Sequence, residues 1–169
     1  MGIQLVPLDK SHLSFVMRWV NDPAVIEYFA LRATPITESE ELAYIEALTS
    51  SQTDKAWSVF DQTTGEYVGQ CSINMINKTN RQGRLFMAVV KQQQGKGYAS
   101  LVLEALKEKG FEELGLHKLW LICREESTMN EKYLRSGFKQ EGLLLDEYFV
   151  KGRYYNMRRM AIINPKNSL

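Results

Sequence analysis

Apolar and polar residues alternate along Ile3-Gln4-Leu5-Val6-Pro7, and this period of two predicts a first strand that ends at the proline. The period then lengthens. Asp9 or Ser11 can cap a helix whose apolar positions are Leu13, Val16, Met17 and Val20. Asn21-Asp22-Pro23 breaks that helix, and Val25-Ile26-Glu27-Tyr28-Phe29 reads as a short helical turn or irregular segment. Thr37-Glu38-Ser39-Glu40 has the form of a capping box ahead of Leu42, Ile45, Ala47 and Leu48, which predicts a second helix.

The middle of the chain is strand-like. Residues 56–60 and 67–76 read as a hairpin closed by Asp61-Gln62-Thr63-Thr64-Gly65, and residues 84–90 as the next strand after a polar loop. A helical pattern runs from Tyr98 to Leu114, with Gly115 placed to end it. Residues 117–123 form a further strand, and 127–136 a helix stopped by Gly137. Two last strands, 138–150 and 153–163, meet at the Lys151-Gly152 turn. The expected fold is α/β in the α+β sense, with a mostly antiparallel sheet and a β-α-β-α unit in the second half.

Composition narrows the function classes. A chain of 169 residues with no repeat and no linker suits one domain, residues 1–169. With 21 basic and 20 acidic side chains the net charge is +1, which argues against nucleic acid as a partner. Two cysteines and two histidines, none at ligand spacing, give no metal site and no disulfide framework. No window is apolar for membrane-spanning length and the N-terminus has no apolar leader, so a cytoplasmic protein with no membrane partner is expected.

The chemistry concentrates in KQQQGKGYAS, residues 91–100, which lies between a strand and a helix. Such a turn presents free backbone N–H groups at the positive end of a helix dipole, and is an anion site. Glycine lets the backbone approach the anion closely. The spacing does not supply the Gly-Lys-Ser/Thr ending of a Walker A loop. Ser100 stands where a Rossmann fingerprint needs its third glycine.

What does fit is Gln-x-x-Gly-x-Gly, met by Gln92, Gly95 and Gly97. It resembles the acyl-CoA pyrophosphate loop of the GNAT superfamily of N-acetyltransferases. GYASLVLEALKEKGFEELGLHKLWL looks like that family's long helix and following strand. EKYLRSGFKQEGLLLDEYFVKGRYYNMRRMAI and RWVNDPAVIEYF look like the branch that includes ribosomal-protein N-terminal acetyltransferases and spermidine acetyltransferases.

The resemblance implies a sheet splayed between its fourth and fifth strands, with acetyl-CoA as co-substrate. The pantetheine arm would pair with main-chain groups of Met87, Ala88 and Val89, as an added strand does. The amides of Gln93, Gln94, Gly95, Lys96, Gly97, Tyr98, Ala99 and Ser100 would hold the pyrophosphate, with Gln92 the informative glutamine side chain. A backbone N–H near Val89 would stabilise the oxyanion, and Tyr133 would protonate the leaving thiolate. On the facing helix Lys132 and Arg135 would be candidates for the 3′-phosphate, although a solvated face is the simpler reading of both.

Two positions depart from the family pattern. Its asparagine at the start of the helix near residue 127 is replaced by Glu126 or Ser127, depending on the count, with Asn130 a turn away to compensate. Arg84 stands where many relatives carry a glutamate base, leaving Glu27, Asp146 and Glu147, or water alone, to deprotonate the amine.

The resemblance implies as acceptor a primary amine on a small molecule (amino sugar, amino acid or antibiotic) or a protein N-terminus. Ala30-Leu31-Arg32-Ala33 offers no acid where polyamine enzymes offer several, which weighs against a polyamine. Arg32, Arg84 and Arg153 suit an anionic substrate, and Tyr28, Phe29, Tyr148 and Tyr154 suit a cleft wall. A non-catalytic acyl-CoA-binding or regulatory module is the alternative, and an exposed sheet edge is compatible with a homodimer.

Overall fold

Residues 1–26 and 34–167 are described by the computed structural model of the chain. The first half lays down β1 (Ile3–Pro7), α1 (Leu13–Val16), α2 (Pro23–Ile26), α3 (Glu38–Ser50), β2 (Lys55–Asp61), β3 (Tyr67–Asn77) and β4 (Gln82–Val89). The second half adds α4 (Tyr98–Glu108), β5 (Lys118–Arg124), α5 (Met129–Arg135), β6 (Lys139–Val150) and β7 (Arg153–Ile163).

Local signals explain most of these boundaries. The Thr37 capping box forms in both directions: Glu40 N–H donates to Thr37 Oγ1 at 3.3 Å, and Thr37 N–H donates to Glu40 Oε2 at 2.8 Å. The first helix is shorter than the apolar spacing predicts. Beyond Val16 the chain tightens, Trp19 N–H bonding to Val16 O at 3.1 Å, and this turns Trp19 inward. Its indole Nε1 donates to Tyr67 Oη at 3.1 Å. The long helix also stops early, at Glu108, and passes through a wider turn at Lys109–Glu113 in which Leu114 N–H reaches Lys109 O.

All seven strands join one sheet in the order β1-β2-β3-β4-β5-β7-β6. Each neighbouring pair is antiparallel except β4 and β5. One face packs on α4 and α5, where Val102, Leu103 and Leu106 meet Ile73, Leu119, Leu121 and Phe138. The other face packs on α1, α2 and α3 through Val16, Trp19, Val25 and Ile45. Each fully buried Leu or Ile of these layers contributes roughly 1.5–3 kcal/mol.

The parallel contact is brief. β4 and β5 pair only at Gln82↔Lys118, Gly83↔Leu119 and Arg84↔Trp120, whereas β5 stays beside β7 as far as Arg124↔Met157. The sheet therefore opens between its fourth and fifth strands, as expected from the sequence.

Candidate active site

A cavity of about 360 Å³ fills this opening. Its β4 wall has a definite hydrogen-bonding character. Val90 N–H bonds to Val68 O at 2.9 Å, which makes 68 and 90 a hydrogen-bonded pair of the β3–β4 ladder. Antiparallel ladders alternate, so Ala88 directs its main-chain groups at β3, and those of Met87 and Val89 point the other way, toward the gap. Of the three residues expected to pair with a ligand, Ala88 is thus turned away. Gly69 lets β3 come this close: a Cβ built there would sit 2.0 Å from the Ala88 carbonyl oxygen.

The glycine-rich loop closes one end of the cavity. Gly95 and Gly97 have φ of +75° and +92°, the left-handed region in which glycine carries no Cβ penalty. At Gly95 a side chain would meet nothing within 4 Å, so conformation rather than crowding selects glycine there. Gly97 then caps α4. The glutamines divide their work differently from the sequence expectation. Gln92 is exposed and lies off the cavity wall, whereas Gln93 and Gln94 line it.

Gln94 Nε2 donates to Val89 O at 3.0 Å and so ties the loop to the end of β4. Buried Gln93 donates to Glu66 Oε2 at 3.2 Å and accepts from Lys96 Nζ at 2.9 Å. Lys96 is thereby engaged with the loop itself, and neither it nor Ser100 lines the cavity; Tyr98 and Ala99 do. Tyr98 is further anchored by donation from its hydroxyl to Asp61 Oδ2.

Across the gap, β5 and α5 bring Cys123, Ser127, Lys132 and Tyr133 to the wall. Ser127 lines it and exposed Glu126 does not. Ser127 Oγ accepts from Met129 N–H at 3.2 Å, and α5 accordingly starts later than the sequence suggests. Asn130 is buried away from the cavity, its Nδ2 donating to Arg124 O and Glu125 O, both at 2.9 Å. It shapes the β5–α5 connection. Tyr133 is 8% exposed, and its burial, with the Cys123 thiol nearby as a lesser cause, pushes the phenol pKa well above the ordinary tyrosine value. Arg135 does not reach the cavity.

The rest of the wall is formed by Ala24 and Val25 of α2, Arg84, Arg124, Tyr148 and Met157, among others. Asp146, Glu147, Arg153 and Tyr154 are exposed and off the wall. Glu27, Tyr28, Phe29, Ala30, Leu31, Arg32 and Ala33, which entered the sequence reading of base and substrate, lie outside the described residues. Sequence reasoning missed Arg124, whose guanidinium lies 3.8 Å from the Tyr155 ring centroid. It also missed the Asp61–Tyr98 and Glu66–Gln93 anchors, which join residues far apart in the chain and leave no local signal. Among the described residues no group of three or more His, Cys, Asp or Glu side chains is arranged to hold a metal, and no helix is long and apolar enough to cross a membrane.

Known proteins share this arrangement. Residues 3–138 match the model of the acetyltransferase (GNAT) domain family. The spermidine N(1)-acetyltransferase of Escherichia coli (strain K12) is 30% identical over 95% of this chain and 86% of its own length. An uncharacterized N-acetyltransferase, p20, of Bacillus licheniformis is 28% identical over 95% of this chain and 92% of its own. The crystal structure of spermidine N-acetyltransferase from Vibrio cholerae in complex with CoA and spermine superposes with a TM-score of 0.90. It covers 96% of this chain and 95% of that one, at 24% identity, and so speaks for the fold. A domain match over most of the chain, joined to a relative that is 30% identical over 95% of it, makes this protein a member of the GNAT acetyltransferases, an enzyme that uses acetyl-CoA to acetylate an amine.

Proposed function

We propose that the chain transfers the acetyl group of acetyl-CoA to a primary amine of a small molecule inside the β4–β5 cavity, with residues 1–169 working as one acyltransferase domain. When bound, acetyl-CoA supplies the thioester that the amine attacks. The protein's residues do the rest. Met87 and Val89 offer main-chain groups to the extended pantetheine amides, as a sheet edge does to an added strand. The loop amides from Gly95 to Ala99 hold the pyrophosphate at the start of α4, those of Gln93, Gln94 and Ser100 being donated to Val90 O, Lys91 O and Gly97 O, and Ser127 faces the same ligand from across the gap.

The Val89 N–H donates to the carbonyl oxygen as negative charge builds on it. Tyr133 gives its proton to the departing sulfur, and burial keeps that phenol protonated until the sulfur needs it. A C–N bond forms and a C–S bond breaks. The proton lost by the amine passes to water; the described residues of the wall include no aspartate or glutamate.

The observation that carries this reading is the stretch of β4 from Leu85 to Val89, which has no strand partner toward β5 and borders the cavity along its length. The test is release of CoA thiol from acetyl-CoA against a panel of amines. Spermidine, the acceptor in the names of the relatives, comes first, followed by amino sugars, amino acids, aminoglycosides and peptides. Binding of CoA with no amine raising release above hydrolysis would leave a non-catalytic acyl-CoA module instead. The long outer strand β6, at the free edge of the sheet, supports a homodimer, which sedimentation would report.

A further inference from the structure

Arg84 is a charged residue of β4 on the cavity wall, and its surroundings suit a receptor for negative charge. Arg84 and Trp120 are register partners, so their side chains leave the same face of the sheet. The next residues, Leu85 and Leu121, enter the core under α4. Arg84 therefore stands on the α1–α3 side of the opening, at the end of the cavity away from the glycine loop.

Two contacts steady it there. Its Nη2 donates to Tyr148 Oη at 3.3 Å, and its guanidinium carbon lies 5.9 Å from the Trp120 ring centroid. Neither contact neutralises it. Among the described residues no carboxylate lies within salt-bridge distance of Arg84, and its Nε is buried without a hydrogen-bond partner. A guanidinium presents a fork of donors matched to carboxylate or phosphate oxygens, and an unpaired one in a partly dry cavity attracts such an anion strongly.

We infer that the acceptor carries an anionic group, a carboxylate or a phosphate, on the same molecule as its primary amine, and that Arg84 receives this group while Tyr148 holds the guanidinium in place. The inference rests on the acetyltransferase reading above. It predicts a substrate class opposite in charge to a polyamine, since an extra ammonium there would meet the Arg84 guanidinium.

The test compares matched amines with acetyl-CoA: glucosamine 6-phosphate against glucosamine, alanine against alaninamide, and spermidine. Wild-type protein is expected to favour the anionic member of at least one pair by tenfold or more in kcat/KM, and to leave spermidine behind. The first pair reports a phosphate, the second a carboxylate. Arg84→Gln should bring the ratio close to one through KM for the acceptor. Arg84→Lys should keep part of it, and Tyr148→Phe should raise that KM severalfold. Calorimetric binding of CoA by each variant confirms that it is folded. Spermidine or the neutral members being preferred, or a ratio that survives Arg84→Gln, overturns the inference and leaves acetyl transfer standing. Turnover with no amine overturns both.

Discussion

The hydroxyl of Tyr98, the first residue of α4, donates a 2.7 Å hydrogen bond to Oδ2 of Asp61, the last residue of β2. Asp61 Oδ1 in turn accepts from Thr63 N–H and Thr64 N–H, both at 2.8 Å, in the turn after its strand. One carboxylate thus fastens the helix that follows the glycine loop to the β2–β3 hairpin. Removing the bond in Tyr98→Phe should raise KM for acetyl-CoA severalfold and leave kcat nearly unchanged, because the loop is displaced and the reacting atoms are not. Steady-state kinetics with acetyl-CoA varied at saturating amine separates the two constants. An unchanged KM would show that the loop holds its shape without this anchor.

The same carboxylate predicts an acid limb. The Thr64 amide, the Tyr98 hydroxyl and the Thr63 amide lower the Asp61 pKa to about 2 from its ordinary 3.8. A folded-state pKa below the unfolded one means that the folded protein binds this proton less readily. The stabilisation is complete above about pH 4 and drains away as the pH falls toward 2. Asp61→Asn should flatten the stability profile across that window and lower stability at neutral pH. Denaturant midpoints from pH 2 to 7 give the comparison, and parallel curves for the two proteins would contradict it.

With Tyr133 proposed as the general acid, Tyr133→Phe should lower kcat by roughly a hundredfold or more, within the usual range for loss of a positioned proton donor. KM for acetyl-CoA should change little. Burial raises this phenol's pKa, so the wild-type rate should fall at high pH only above the ordinary tyrosine range. The pH profile of kcat, measured with an amine already neutral at pH 9, tests that limb. A phenylalanine variant with wild-type kcat would assign the proton transfer to water.

Much of this was legible in the chain. Strand and helix order, the Thr37 box and the glycine turn into α4 all follow from period, caps and glycine placement, which are local. The misjudged details are those decided at a distance. The first helix ends at Val16 because Trp19 turns inward to a tyrosine 48 residues away. Gln92 carries the family spacing, yet Gln93 and Gln94 hold the loop, since Glu66 and the Val89 carbonyl come within reach only after folding. Asn130 was expected to meet a ligand and instead bonds the chain's own carbonyls. Whether Glu126 or Ser127 faces the cavity depended on the length of one connection, which residue counting does not resolve.

Gly69 invites a packing prediction. In Gly69→Ala the new Cβ would start 2.0 Å from the Ala88 carbonyl oxygen and 3.1 Å from Val89 Cα, both backbone atoms. Backbone yields only by separating β3 from β4, so the substitution should destabilise by roughly 1–3 kcal/mol or more. It should also weaken CoA binding, because the displaced strand is the one that borders the cavity. Gly142→Ala is the matched control on β6: nothing lies within 4 Å of its Cβ, and its effect should be small. Urea midpoints of the two variants decide the matter, and equal midpoints would refute the close approach.

Cys123 provides a chemical probe of the cavity. It lines the wall beside Tyr133, whereas Cys71 is fully buried in the sheet. Burial raises the pKa of both thiols, so neither is a ready nucleophile at neutral pH. Alkylation by iodoacetamide should therefore be slow at pH 7, accelerate toward pH 9, and modify Cys123 well before Cys71. Saturating CoA should slow it further by filling the space in front of the sulfur. Peptide mass mapping after timed exposure identifies the modified residue, and rapid labelling at neutral pH or indifference to CoA would place Cys123 outside the ligand's path.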